Sequence, residues 1–451
     1  MFKKREFRPG PVSLVALSIV GICYLNNFQG VKLFPEVKEE IGQKLSRQKK
    51  PNIELTLRFT LRDDILELLF CDFLRSTALF WSPHFGDVVF ILDEEDKAKN
   101  FELKLHSISL PNKFRFVYEK DLKERSYIEK IGPPSCVKRG RRCWYGKLRM
   151  FYSSFIMDEY TKEDTVIAWT DTDTIFTFPV TSDTIFRNGK LIVKGINKFQ
   201  LSKTDTITPE EKNAHIWNAT TYFAIGFPMV SDFMAYFPAF VYARTIRNCR
   251  HHIMYRLRAS TFEEAFIKMV ENDPWFSPVN IVLSYAYYFE RELYDWHIDI
   301  GNETLESYNK RVLPPKYPLR QSDITPEVQL TIHSKYFALQ ALEDEVLEQA
   351  ICYSQIALKM THIPHCDKFR NEINLQLFEF QDSKSHVNTW CKPGRRREKC
   401  GELIDERYEM WAQQYRKGEL KINTSYIQII DDFARTQYDK ECYDLNYQPY
   451  T

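Results

Sequence analysis

The chain has 451 residues, enough for one large domain or two smaller ones with ample core. Apolar residues make up 44% and charged residues 27%, a composition that excludes a disordered chain. A net charge of +1 supplies no global basic field, so no nucleic-acid partner is expected.

Residues 1–10, MFKKREFRPG, set Lys3, Lys4, Arg5 and Arg8 against a single acid, Glu6. Residues 11–28, PVSLVALSIVGICYLNNF, carry no charge. Basic residues stay on the cytoplasmic side, so this order predicts a cytoplasmic tail, a signal anchor and a lumenal remainder. Eighteen residues at ~1.5 Å each reach ~27 Å, about the thickness of an early secretory membrane. A cleaved signal peptide has a similar apolar run, but the absence of a clear A-x-A site favours an uncleaved anchor. Both readings place the chain in the secretory pathway, the uncleaved anchor as a single-pass type II protein of the Golgi or endoplasmic reticulum membrane.

Ten cysteines fit that compartment, where some of them are expected to pair. Cys136 with Cys143 and Cys391 with Cys400 are the local candidates, and neither has a zinc-like CxxC spacing. Removing Cys23 leaves nine in the lumen, so at least one is free or intermolecular. N-x-S/T sequons begin at Asn218, Asn302 and Asn423.

Residues 29–52 are read as a stem. Beyond them, strands and helices alternate. IELTLRFT (53–60) predicts a strand, and Asp63 or Asp64 is placed to cap a helix with Ile65, Leu66, Leu69, Phe70, Phe73 and Leu74 at helical spacing. DVVFILD (87–93) and FRFVYE (114–119) predict strands, WYGKLRMFYSSFIMDEY (144–160) a long amphipathic helix, and TVIAW (165–169) a strand buried on both sides. KLIVKG (190–195) adds a strand, and residues 213–291 read as mostly helical. The fold class expected is α/β, with a mainly parallel central sheet flanked by helices. The domain proper is set at 53–300. A Pro-rich linker, RVLPPKYPLR, then leads into a C-terminal extension, 301–451.

The stretch VIAWTDTDTIFTFPV (166–180) carries the chemistry. If the segment is extended, Asp171 and Asp173 point the same way and Thr170, Thr172 and Thr174 the other. The pair follows a buried strand, where open α/β sheets bind their ligands. Two anions so close repel, and a divalent cation relieves the repulsion. Mg²⁺ or Mn²⁺, held by carboxylates and completed by substrate phosphates, suits that donor set. The plainer reading is that Asp and Thr serve as turn and cap residues.

With its type II anchor and strand-borne D-x-D, the chain resembles the metal-dependent, nucleotide-diphospho-sugar transferases of the GT-A fold. WTDTDTIFTFPVTSDTIF (169–186) and SPVNIVLSYAYYFERELYDW (277–296) look like an uncharacterised animal family of type II membrane glycosyltransferase-like proteins. The resemblance covers about 59–299. It implies that Asp173 ligates Mn²⁺ (or Mg²⁺) and that Asp171 reaches the ribose or the water shell of the metal. It implies a histidine as third ligand, with His297 placed ahead of His362 and His365. Lys147 and Arg149, on the helix before the strand, and Arg62, after the first strand, are the candidates for the nucleotide-sugar. Each is also readable as a solvated surface residue. Asp295, Asp273 and Glu290 qualify by type as the base for an acceptor hydroxyl, with Asp295 named first.

The function expected is sugar transfer from a nucleotide-sugar donor to a glycan, protein or lipid hydroxyl. Its rival is a membrane-anchored, inactive lumenal protein that binds a glycan or a partner. A two-carboxylate hydrolase is a third reading, disfavoured because its acid and base stand ~5–9 Å apart across a cleft.

Overall fold

Strand β1 (Ile53–Phe59) buries Ile53, Leu55, Leu57 and Phe59, and also Glu54 and Thr56, so neither of its faces meets solvent freely. The computed structural model describes residues 52–333 apart from 94, 121, 124–142, 163, 173, 177–178, 198–208, 235, 302, 326 and 328–329, together with 410, 413–414, 417–418 and 425–442. The anchor and stem, Asp173, His362, His365, Cys136, Cys391, Cys400 and the sequons at Asn302 and Asn423 lie outside the described residues. Among the described residues no helix is long and apolar enough to cross a membrane.

After β1 come α1 (Asp63–Glu67), π-helical turns at Leu68–Leu74 and α2 (Arg75–Phe80). Next follow β2 (Val88–Leu92), α3 (Glu95–His106), β3 (Phe114–Tyr118), α4 (Cys143–Phe155), α5 (Met157–Tyr160) and β4 (Val166–Thr170). The chain continues through β5 (Thr174–Phe176), α6 (Ser182–Ile185), β6 (Phe186–Arg187), β7 (Lys190–Ile196), α7 (Pro209–Ile225) and β8 (Ala239–Tyr242). The helices α8 (Ala243–Arg256), α9 (Phe262–Asn272) and α10 (Pro278–Phe289) precede β9 (Tyr294–Asp299), α11 (Leu305–Val312), β10 (Thr331–His333) and α12 (Ser425–Tyr438).

The central sheet has the order β3-β2-β1-β4-β8, with β1 to β4 mutually parallel and β8 antiparallel at the edge. VVFIL and VIAWT are buried at every position, as a sheet wrapped by helices requires. The expected α/β architecture with a mainly parallel sheet is therefore present. KLIVKG does form a strand, but in a second sheet of order β6-β7-β9. A third, two-stranded sheet pairs β10 with β5. Gly195 lets β7 approach the loop beside it: a Cβ there would stand 2.8 Å from Ser231 Oγ and 2.9 Å from the Phe233 ring.

Several local expectations are corrected. Neither Asp63 nor Asp64 caps α1; Arg62 is the N-cap residue and makes no side-chain cap bond, while Asp63 is the first helical residue, where its charge suits the helix dipole. The 144–160 helix breaks at Ile156, whose φ of −115° leaves the helical range. The mostly helical stretch contains an unforeseen strand, β8, because AFVY is too short to declare a period. The Pro-rich segment is packed instead of linking. Leu313 and Leu319 are buried in the main core, and Tyr287 Oη donates to the carbonyls of Tyr317 and Pro318 at 3.2 and 2.9 Å.

The string 277–296 is scaffold. α10 starts with Ser277 accepting from Asn280 N and Pro278 in the first turn, and nearly every residue along it is buried. Asn280 Oδ1 accepts from Phe233 N at 2.8 Å, Ser284 Oγ from Val230 N at 3.2 Å, and Tyr288 Oη donates to Pro228 O at 3.0 Å. Those bonds hold the loop that leads into β8. Asn218 sits within α7, with Oδ1 accepting from Met229 N at 2.8 Å.

A disulfide between Cys71 and Cys442 joins the π-helical turns to the end of the chain, 371 residues away. Among the described residues Cys249 is free and buried.

Candidate active site

β4 ends at Thr170, and the chain turns at once. Thr172 N donates to Asp171 Oδ1 at 2.9 Å, and Thr174 N to Asp171 O at 3.3 Å. The extended geometry that would set alternate carboxylates side by side therefore stops one residue before the motif. What holds is the position. Asp171 follows the buried central strand at its carboxyl end and is partly exposed, between the buried Thr170 and Thr172.

Parallel register pairs Leu57 with Thr170, so Arg58 is the next residue of β1 at the same carboxyl edge of the sheet that Asp171 follows. Arg58 is committed elsewhere. Its Nε and Nη2 donate to the two oxygens of Glu119 at 2.9 and 3.1 Å, and Nη2 lies 3.9 Å from Asp93. Arg149, on α4, lies 2.8 Å from Glu119 Oε2 and 3.2 Å from Asp93 Oδ2. Asp93 and Glu119 follow β2 and β3, so these four residues close the carboxyl edge of the sheet beside Asp171. Two cations and two anions leave this quartet neutral. Burial pushes the Asp93 carboxyl up, and Glu119 adds to the rise, against the pull of Arg58 and Arg149.

Glu119 is fully buried, so truncating one of its partners strands charge. Arg149→Ala is expected to cost about 3–5 kcal/mol in equilibrium unfolding. A loss below about 1 kcal/mol would show that Arg58 alone neutralises the site.

Lys147 carries its ammonium 3.9 Å above the centre of the Trp275 ring and 5.4 Å from Phe151, a cation–π seat. Arg62 is exposed at the head of α1. Asp273 Oδ1 accepts from Trp275 N at 2.8 Å, shaping the turn between α9 and α10. Glu290 accepts from Thr245 Oγ1 at 2.5 Å and Asn248 Nδ2 at 2.7 Å, pinning α8 to the end of α10.

Asp295 and His297 stand together on β9, in the second sheet. His297 is fully buried with both ring nitrogens engaged: Nε2 lies 2.9 Å from Asp295 Oδ2, and Nδ1 lies 2.9 Å from Thr325 O. Burial raises the Asp295 carboxyl, but its bond to His297 and the charges of His297, Arg187 and Lys190 outweigh that and hold it below the usual carboxylate range. A general base works best with a pKa near the working pH, so this carboxylate is weakly basic for that duty.

The pattern reading missed Arg58, Asp93, Glu119 and His333. The first three had a signal: charged residues at the last positions of apolar strands, where a sheet edge faces its ligand. His333 had none, because only β10–β5 register puts it opposite Thr174, next in sequence to Asp173.

The oxygen donors at this edge suit a hard divalent cation. Asp171 offers a carboxylate, and the Thr170 and Thr174 hydroxyls are buried with no hydrogen-bond partner among the described residues. Among the described residues no three His, Cys, Asp or Glu groups converge as a metal site, and Asp173 is not one of those residues.

No protein-family model matches the sequence, and no curated protein does. Among solved structures the chain is similar to mouse xyloside xylosyltransferase 1 in its apo form, at 10% identity and a TM-score of 0.30, covering 62% of this chain and 97% of that one. A likeness of that size settles neither family nor activity.

Proposed function

We propose that the chain is a metal-dependent glycosyltransferase that moves a sugar from a nucleotide-sugar to a glycan, protein or lipid hydroxyl. The observation that carries this reading is the placement of Asp171, the first residue of the D-x-D, directly beyond the carboxyl end of the buried parallel strand β4. Asp171 and Asp173 would hold Mn²⁺ or Mg²⁺. When bound, the cation supplies Lewis-acid charge to the departing nucleotide diphosphate.

The neutral quartet supports a need for that cation. A diphosphate at this edge meets Arg58 and Arg149 already balanced by Asp93 and Glu119. The work of the quartet is to keep the ends of β1, β2 and β3 in fixed relation to Asp171. Asp295 is engaged with His297, and its depressed basicity argues for an anchoring duty in place of proton abstraction. A type II anchor in the Golgi or endoplasmic reticulum membrane completes the proposal, and the Cys71–Cys442 disulfide supports an oxidising lumen.

The test is thermal unfolding of the full-length chain against a panel of nucleotide-sugars, with and without Mn²⁺. A ligand at a hundred times its Kd adds about 2.7 kcal/mol, enough to raise the melting temperature measurably. The stabilisation should require Mn²⁺, and Asp173→Asn should abolish it. Stabilisation of equal size without metal would remove the metal from the proposal. No stabilisation by any donor would favour the inactive lumenal binding protein.

A further inference from the structure

β10 has three residues, and its antiparallel ladder with β5 pairs Thr331 with Phe176, Ile332 with Ile175 and His333 with Thr174. A ladder that short is marginal alone, so its seat depends on what anchors the chain just before it. That anchor lies in the second sheet. Arg187, on β6, reaches Glu327, whose side chain is 1% exposed. The same guanidinium stands 3.8 Å from Asp295 Oδ2 and 3.4 Å from His297 Nε2. His297 faces Thr325 twice, with Nδ1 2.9 Å from its carbonyl oxygen and 3.1 Å from Oγ1. Thr325 Oγ1 also donates to Ser322 O at 3.1 Å, closing the turn that starts the segment.

Arg187, Asp295 and His297 belong to paired strands, while Thr325 and Glu327 belong to the segment that becomes β10. Every contact just named crosses between those two bodies or braces the residues that make it. At its far end the segment is fastened again, by Thr331 Oγ1 donating to Phe237 O.

We propose that Arg187 and His297, braced by Asp295, are positioning residues: a latch that holds Thr325 and Glu327 and so seats β10 against β5, the strand that starts at Thr174. The structural half stands on the contacts alone; the consequence for metal retention rests on the function proposed above. Glu327 is the sensitive point. Removing the guanidinium takes a charged partner from a carboxylate whose side chain is 1% exposed, which weakens the seat of the chain leading into β10.

Hydrogen–deuterium exchange on the full-length chain tests the latch without reference to activity. Arg187→Ala should raise exchange about tenfold or more in peptides covering 174–176 and 330–333, while α10 exchanges as before. Arg187→Lys should recover part of the protection, and Glu327→Gln, which keeps the shape of the side chain, should reproduce the local opening if the alanine variant folds poorly. In parallel, Arg187→Ala should raise the Mn²⁺ concentration at half-maximal thermal stabilisation about tenfold, with the same plateau at saturation. Unchanged exchange at both strands overturns the latch. Exchange raised equally in α10 also overturns it, by making Arg187 a general stability residue. Local opening in a chain that shows no Mn²⁺ effect at all supports the latch and refutes the metal reading.

Discussion

Asp173→Asn should lower the turnover of the full-length chain by about two to three orders of magnitude and leave its unfolding curve within about 0.5 kcal/mol of the parent. Asn matches Asp in shape and removes only the charge, so the loss measures the contribution of the anion to holding a cation. Asp171→Ala is expected to differ in kind. Asp171 Oδ1 already accepts from Thr172 N at 2.9 Å, and its backbone carbonyl accepts from Thr174 N, so this residue builds the turn as well. Its substitution should therefore cost activity together with about 1 kcal/mol of stability. Steady-state transfer across a Mn²⁺ titration separates the two. A variant at position 173 that turns over like the parent at every Mn²⁺ concentration, limiting ones included, would end the metal mechanism.

The second large effect is expected far from the motif. Arg75 is 1% exposed and grips Asp431 with both arms, Nε to Oδ1 at 2.7 Å and Nη2 to Oδ2 at 2.6 Å. Around that pair, α12 buries Ile427, Ile430, Phe433 and Ala434. Phe433 meets the Phe70 ring at 5.6 Å, and Tyr438 meets it at 5.2 Å. Cys71–Cys442 closes the far end of the same contact. Asp431→Ala leaves a guanidinium buried without its carboxylate and should cost about 3–5 kcal/mol in urea unfolding. Replacing both cysteines by serine should cost a further 2–5 kcal/mol, roughly, because the unfolded chain loses its longest constraint. The two losses share one interface, so together they should fall short of their sum. A loss under about 1 kcal/mol for Asp431→Ala would mean that α12 rests on its apolar face and the disulfide, with the ion pair incidental.

Both predictions concern residues whose importance was unequally visible in the chain. The aspartates announced themselves because a charged pair after VIAW contradicts the apolar run before it. Arg75 did not, since one arginine on a helix reads as a solvated residue until its partner, more than three hundred positions away, is known. His297 was misleading in the opposite sense. It lies in a distinctive segment, YDWHID, and histidine suits a metal, yet its neighbours in space turn both its nitrogens toward Asp295 and Thr325. Arg149 qualifies by its place on a helix either as a phosphate ligand or as a solvated surface residue, and the fold pairs it with Asp93 and Glu119.

By itself the sequence determined the elements whose signal is local. Strands β1 to β4 appear within a residue or two of their apolar runs, because burial on both faces demands an unbroken apolar stretch. The helices after β1 and before β4 follow apolar residues at helical spacing, and the position of Asp171 at a strand end follows from the strand itself. Tertiary structure alone decided who meets whom. It set β8 antiparallel at the sheet edge, divided β7 from the central sheet, brought β10 beside β5, neutralised Arg58 and Arg149, and joined Cys71 to Cys442. The physical reason is range. A period of two or of 3.6 residues is written within a few neighbours, whereas register, ion-pair choice and disulfide partner depend on which distant segments the buried core brings into contact.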